Sequence, residues 1–255
     1  VDLSRLLCGS EGTLAFITEA KLDLTPIPTF HTLVNVKYDS FESALRNAPV
    51  MVAAEALSVE TVDSRVLDLA RGDIIWHSVK SLIEDVPGKT MLGINIIEFA
   101  GDEASEQTRK VQALTARLDA LLAAGEGGVI GYQVCDELAS IETIYAMRKK
   151  AVGLLGNAKG RKKPVAFTED TAVPPEKLAD FIMEFRALLD EHQLAYGMFG
   201  HVDCGVLHVR PALDLCDPEQ EVVLRTISDR VVALTAKYGG LMWGEHGRGF
   251  RSEYG

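Results

Sequence analysis

Cysteine is scarce in this sequence, long apolar runs are missing, and positive charge is in deficit; each shortage removes a class of protein. The four cysteines, Cys8, Cys135, Cys204 and Cys216, stand far apart in 255 residues. They form neither a CxxC pair nor the dense pattern of a small disulfide scaffold. A reducing, cytoplasmic compartment is therefore the simplest setting, with peripheral attachment at the inner membrane left open. No apolar run approaches the roughly 20 residues needed to span a bilayer, and the first residues lack the charged and apolar regions of a signal peptide. Lys and Arg number 26 against 37 Asp and Glu, for a formal net charge of -11 and a pI near 5.0. That balance opposes attraction to nucleic acid phosphates and to anionic membrane surfaces. Low-complexity segments, a detectable repeat, the dinucleotide G-x-G-x-x-G fingerprint and a Walker loop are also absent.

What is present is the composition of an ordinary globular domain, 47% hydrophobic and 25% charged. GSEGTLAFITEAKLDLTPIP, from Gly9, reads as a turn, a strand and an exit linker ending on Pro26 and Pro28. HTLVNVKY from His31 reads as a strand, followed by a helix capped by Ser40 and carrying Phe41, Ala44 and Leu45. A helical stretch from Val50, a short strand near Ala56 and a helix over Val62 to Ala70 follow. TMLGINIIEFAG from Thr90 is a strand; Asp102 to Ala124 carries Val111, Leu114, Leu118, Leu121 and Leu122 at helical spacing. GVIGYQVC from Gly128 and a helix from Leu138 come next.

In the last third, PVAFTEDTAV reads as a strand, Pro174 and Pro175 start a helix through Leu189, and AYGMFGHVDCGVLHVRP reads as two strands around a tight turn. A helix from Pro218 to Tyr238 leads into GGLMWGEHGRGF. This order predicts an α+β fold: an antiparallel sheet covered on one face by helices, of ferredoxin-like kind and duplicated. The clearest boundary falls near residue 27. The start at Val1 without methionine and the stop at Gly255 just after a glycine-rich motif read as the ends of a fragment.

Candidate chemistry concentrates late in the chain. His201 and His208 flank the proposed turn, so both imidazoles can project toward one point, and neutral imidazole nitrogen suits zinc and other divalent first-row metals. Glu245 is the candidate third ligand, because the glycines around GEHGRG permit close approach. The competing reading is two ordinary polar histidines. His246, with a reference pKa of about 6.5, suits a general base, or else holds the loop by a hydrogen bond. Arg148 has the planar fork to grip a carboxylate, or it offsets a helix dipole. It belongs to a basic stretch with Lys149, Lys150, Arg161, Lys162 and Lys163 whose simpler reading is a solvated surface. Glu169 and Asp170 read either as supporting carboxylates or as surface charges at a strand end. Gly9, Ser10, Gly12 and Thr13 form a turn able to present backbone donors to a phosphate.

LLCGSEGTLAFITEAKLDLTPIP, YGMFGHVDCGVLHVRP and GEHGRGF, taken in order, resemble the FAD-linked oxidases of the vanillyl-alcohol-oxidase type, in the branch of the D-2-hydroxyglutarate, D-lactate and glycolate dehydrogenases. The resemblance implies that residues 1–27 close an FAD-binding domain, with Gly9, Ser10, Gly12 and Thr13 at the flavin. Residues 28–255 are then the substrate, or cap, domain. It further implies His201, His208 and Glu245 as metal ligands, His246 as the base and Arg148 as the substrate-carboxylate arginine. The implied reaction oxidises a D-2-hydroxy acid to the 2-oxo acid by hydride transfer to FAD. Two positions depart from the family pattern: Val206 stands where an asparagine is common, and the strand around Thr168 lacks a lysine. The hairpin looks like that of large bacterial members that carry a following iron-sulfur domain, which would lie beyond Gly255. A small-molecule 2-hydroxy acid is the expected partner; the electron acceptor and a homo-oligomeric state stay open. The alternative from another class is a noncatalytic metal-binding or assembly module.

Overall fold

A computed structural model describes residues 1–10, 12–156, 160–242 and 244–245. It begins with α1 (Leu3–Gly9), whose first turn is capped by the Asp2 carboxylate accepting from the Ser4 and Arg5 amides. Residues 14–28 then run without regular structure and leave Phe16, Leu24 and Ile27 about nine-tenths exposed. The strand expected after the glycine turn does not form, because a strand needs a neighbour to pair its amides and none lies beside it among the described residues.

From Phe30 onward the chain builds two similar units. The first comprises β1 (Phe30–Tyr38), α2 (Phe41–Arg46), α3 (Ala48–Ala53), β2 (Ser58–Asp63), α4 (Ser64–Arg71), α5 (Trp76–Val79), β3 (Gly93–Gly101), α6 (Ala104–Ala124), β4 (Val129–Cys135) and α7 (Leu138–Gly156). Its strands lie in the order β4-β1-β3-β2, all antiparallel, which is the ferredoxin-like arrangement. The second comprises β5 (Lys163–Pro164), β6 (Thr171–Ala172), a 3-10 turn (Pro175–Lys177), α8 (Leu178–Glu191), β7 (Tyr196–His201), β8 (Val206–Leu213) and α9 (Pro218–Lys237). Here β6 pairs with β8, β8 with β7, and the chain after α9 returns to bridge Ala172 through Leu241. Counting that return as a fourth strand, the order again is fourth, first, third, second. The expected duplication is therefore present in topology, although no repeat is visible in sequence.

The units join where β2 and β7 pair antiparallel, Glu60 opposite His201 and Val62 opposite Phe199. One face of the combined sheet packs on α2, α3, α6, α8 and α9, with Val34, Val36, Tyr38, Ile97 and Phe99 meeting Phe41, Leu118, Phe181, Phe185 and Val231. Each fully buried large side chain of this kind contributes about 1.5–3 kcal/mol. Helices do not stop at that face, contrary to expectation. Leu33, Ile94, Ile96 and Val62 on the other face pack under Leu67, Val79, Ile141, Ile144 and Met147 of α4, α5 and α7. Residues 33–38 and 93–97 are buried without a break because these strands are covered on both sides. Toward β8 that second face instead carries His201, His208 and Arg210.

Two further elements differ from expectation. The helix foreseen from Val62 starts at Ser64, since Asp63 is its N-cap and Val62 belongs to β2. PVAFTEDTAV is not one strand but two short pieces, because Asp170 takes a left-handed backbone (φ 63°) and turns with Glu169 into the interior.

Asp63 ties the units together. Its carboxylate accepts the Val66 amide at 2.9 Å, starting α4, and the Met198 amide of β7 at 3.1 Å. Asp63→Ala leaves two buried donors unpaired, at about 1–3 kcal/mol each, and a urea melt is expected to show a loss of roughly 2–4 kcal/mol. Burial pushes the Asp63 carboxyl up from 3.8 to about 6, against the pull of both amides and of Arg186 and Arg65. The folded state thus holds a proton that the unfolded chain has released, so this group's contribution declines as pH rises from about 4 to 6. Asp63→Asn should flatten that slope; an unchanged slope would show that another group causes it.

Candidate metal centre

The β7–β8 hairpin is closed by residues 202–205. At its end Gly205 has φ +70°, and a Cβ there would fall 1.8 Å from the Val173 carbonyl oxygen, so no other residue fits this turn. Phe199 pairs with His208 and His201 with Val206, which puts both histidines on the same sheet face, diagonal to each other. Their rings meet edge to face with centroids 5.8 Å apart, and Phe199 flanks His208 at 5.1 Å.

Glu245 reaches this pair by the return of the chain after α9. Reciprocal backbone bonds between Ala172 and Leu241, 2.9 and 2.8 Å, anchor the return beside β6. Gly244 then passes so close to Asp170 that a Cβ would lie 3.1 Å from the Asp170 Cα. The Glu245 Oε1 ends 2.9 Å from His208 Nε2 and 3.3 Å from His201 Nε2.

Each imidazole has a carboxylate behind it as well. His201 Nδ1 lies 3.1 Å from Glu60 Oε1, and His208 Nδ1 lies 3.4 Å from Asp170 Oδ1. In the neutral form of His201, the Glu60 carboxylate favours the proton on Nδ1 and leaves Nε2, on the side of Glu245, available to a ligand. Hydrogen bonding to Glu60 holds the His201 imidazolium above its usual pKa, opposed by burial and reinforced by the charges of Glu60 and Glu245. Burial works to raise Glu60, yet the His201 hydrogen bond and the Arg148 charge outweigh it and leave the carboxyl below its usual value.

The three forward-facing atoms suit a divalent ion. In a tetrahedral site, ligand atoms about 2.0–2.2 Å from zinc lie about 3.3–3.6 Å from one another. The His201–Glu245 separation of 3.3 Å matches that spacing, the His208–Glu245 separation of 2.9 Å is shorter, and all three atoms lie within 4.8 Å of one another. Two imidazoles and one carboxylate also leave a coordination position for a small molecule. A second group, Glu169, Asp170 and His208, meets the same proximity criterion, but Glu169 is engaged by Arg210 and Asp170 stands behind His208.

Arg148 reaches down from α7, its Nη2 2.5 Å from Glu60 Oε2, and its guanidinium lies 5.8 Å from the Phe199 ring centre. Its Nε makes no hydrogen bond among the described residues. Arg210, which pattern alone did not single out, pairs with Glu169 and places its guanidinium 5.3 Å from the same ring. The alternation of β8 could have found it, since Arg210 lies two residues from His208. Glu60 was missed for a different reason: its partner His201 is 141 positions away in a different unit. Glu169 and Asp170 are buried, which overturns their reading as surface charges. The basic stretch is not one patch either, since Lys150 pairs with Asp73 and Arg161 with Asp214. His246 lies outside the described residues.

The Gly9–Thr13 turn belongs to a different part of the chain. Ser10 ends α1 with its Oγ donating to the Leu7 carbonyl, and the Thr13 amide and hydroxyl both donate to the Ser10 carbonyl. Gly12 sits at φ +83°.

A family model described as "FAD linked oxidases, C-terminal domain" matches residues 27–254. The chain is 72% identical over 253 residues to a D-2-hydroxyglutarate dehydrogenase of Escherichia coli (strain K12), covering 99% of this chain and 25% of that protein. It is 70% identical over 253 residues, with the same coverage, to a D-2-hydroxyglutarate dehydrogenase of Pantoea ananatis (strain AJ13355). The chain thus spans about a quarter of the length of these curated relatives. Among solved structures, an alkyldihydroxyacetonephosphate synthase shares the fold with a TM-score of 0.63 at 14% identity, covering 94% of this chain and 45% of that one. By its sequence match and its duplicated α+β architecture, the chain belongs to the C-terminal domain family of the FAD-linked oxidases.

Proposed function

We propose that the full-length protein is an FAD-dependent dehydrogenase oxidising a D-2-hydroxy acid to the 2-oxo acid, and that this chain supplies its substrate-binding side. D-2-hydroxyglutarate is the leading substrate, supported by the 70% and 72% identical relatives, with D-lactate and glycolate behind it. The observation that carries the site reading is the convergence of His201, His208 and Glu245, two imidazoles backed by carboxylates and turned toward a third ligand.

When bound, FAD supplies the hydride acceptor and a divalent ion such as zinc supplies a Lewis acid. His201, His208 and Glu245 hold the ion. Arg148 has donors beyond the one on Glu60 and grips a substrate carboxylate, while Phe199 packs between the imidazole and guanidinium groups and keeps water from that side. His246 would take the proton of the 2-hydroxyl as general base. Residues 1–27 close the FAD-binding domain, with Gly9, Ser10, Gly12 and Thr13 at the flavin, and residues 28–255 form the substrate domain. An iron-sulfur domain elsewhere in the full-length protein is the proposed electron relay. Among the described residues no helix is long and apolar enough to cross a membrane.

Dye-linked oxidation of a panel of D-2-hydroxy acids by the full-length protein tests this. D-2-hydroxyglutarate should give the highest kcat/KM, and a chelator should abolish turnover until zinc is restored. If no acid reduces the dye, the dehydrogenase reading fails. In the same protein His208→Ala should lose both bound metal and turnover while keeping its melting temperature; global unfolding would point to a structural metal site instead. Arg148→Lys removes the planar fork and should raise KM roughly 10- to 100-fold, the worth of a charge-assisted bidentate pair. The 255-residue chain expressed alone should be colourless after FAD is added and the excess removed; a retained flavin spectrum would contradict the assignment of most flavin contacts to another domain.

A further inference from the structure

We infer that Glu60 is the positioning residue of the site: one buried carboxylate that orients the ligand His201 and anchors Arg148 at a set distance from it. The inference rests on the metal reading proposed above. Glu60 belongs to β2 in the first unit and His201 to β7 in the second, and the two are direct partners across the join. Only 8% of Glu60 is exposed, and its two oxygens are divided between two tasks. Oε1 faces His201 Nδ1 at 3.1 Å, and Oε2 accepts from Arg148 Nη2 at 2.5 Å.

The first contact decides which ring nitrogen of His201 is available. A neutral imidazole ligates through the nitrogen that carries no proton, so a strong acceptor at Nδ1 keeps the proton there and frees Nε2, on the side of Glu245. The second contact compensates the Glu60 charge with a guanidinium. It also ties the proposed carboxylate grip to the same side chain that orients the ligand, so spacing between grip and ion depends on Glu60. Loss of such an outer carboxylate weakens metal binding typically 10- to 100-fold.

A structural role alone is distinguishable, because the same sheet face offers a matched control. Glu98 of β3 also ties α7 to the sheet, accepting from Tyr145 at 2.6 Å, and it faces His31 at 3.1 Å, but none of these is a proposed ligand. Zinc affinity would be measured by equilibrium dialysis on the full-length protein, with bound zinc counted by mass spectrometry. Glu60→Gln should raise the zinc Kd 10- to 100-fold, while Glu98→Gln leaves it within about twofold at a comparable change in melting temperature. Should Glu60→Gln fail to fold, Glu60→Asp keeps the charge but is too short to serve both partners, and an intermediate Kd is expected. Wild-type affinity in the folded Glu60 variants, with weakened binding in His201→Ala, overturns the role of Glu60 and leaves the metal reading standing. Wild-type affinity in both His201→Ala and His208→Ala overturns the metal reading, and the role of Glu60 with it.

Discussion

The antiparallel join of β2 and β7 is the constraint on which the rest of the structure depends. It makes two ferredoxin-like units one sheet, and it is short, with paired positions from Glu60–His201 to Val62–Phe199. Asp63 extends the tie by accepting an amide from each unit. Because side chains alternate along strands, the pairing decides which groups share a face. Glu60, Val62, His201 and Phe199 point one way, and β8 adds His208 and Arg210 to the same side. A slip of one residue would send the histidines to the opposite face, which packs on α2, α3, α6, α8 and α9.

Burial and charge then work against each other at that face. Four carboxylates, Glu60, Glu169, Asp170 and Glu245, stand around two imidazoles and two guanidiniums, several of them inaccessible to water. Buried charge is costly unless paired, and each carboxylate here has a basic partner. What remains is the convergence of His201, His208 and Glu245, a group that could hold an ion. Under the proposed reading the cost of assembling them is offset by the ion and substrate they hold.

The likeness to a solved structure at 14% identity shows how little sequence the architecture requires. An alternating strand tolerates many apolar residues, and helices such as α6 or α9 require only a stripe of them. Features with narrower chemistry include Gly200, Gly205 and Gly240, where a Cβ would collide with the Val206, Val173 and Ala172 carbonyls, and the polar row on β2, β7 and β8.

Much of this was legible from residues alone. Ser40 as a cap, the helical spacing of Leu114, Leu118 and Leu121, and the GHVDCGVLH hairpin follow from local pattern, because caps, periodicity and turns are short-range physics. Family motifs added the flavin context that spacing cannot supply. Tertiary structure decided what depends on distant partners. It turned Asp170 inward through a left-handed backbone, covered the first unit on both faces, left residues 14–28 without a strand, and set Glu60 behind His201. Those outcomes hang on pairing between strands far apart in the chain, which no window of neighbouring residues encodes.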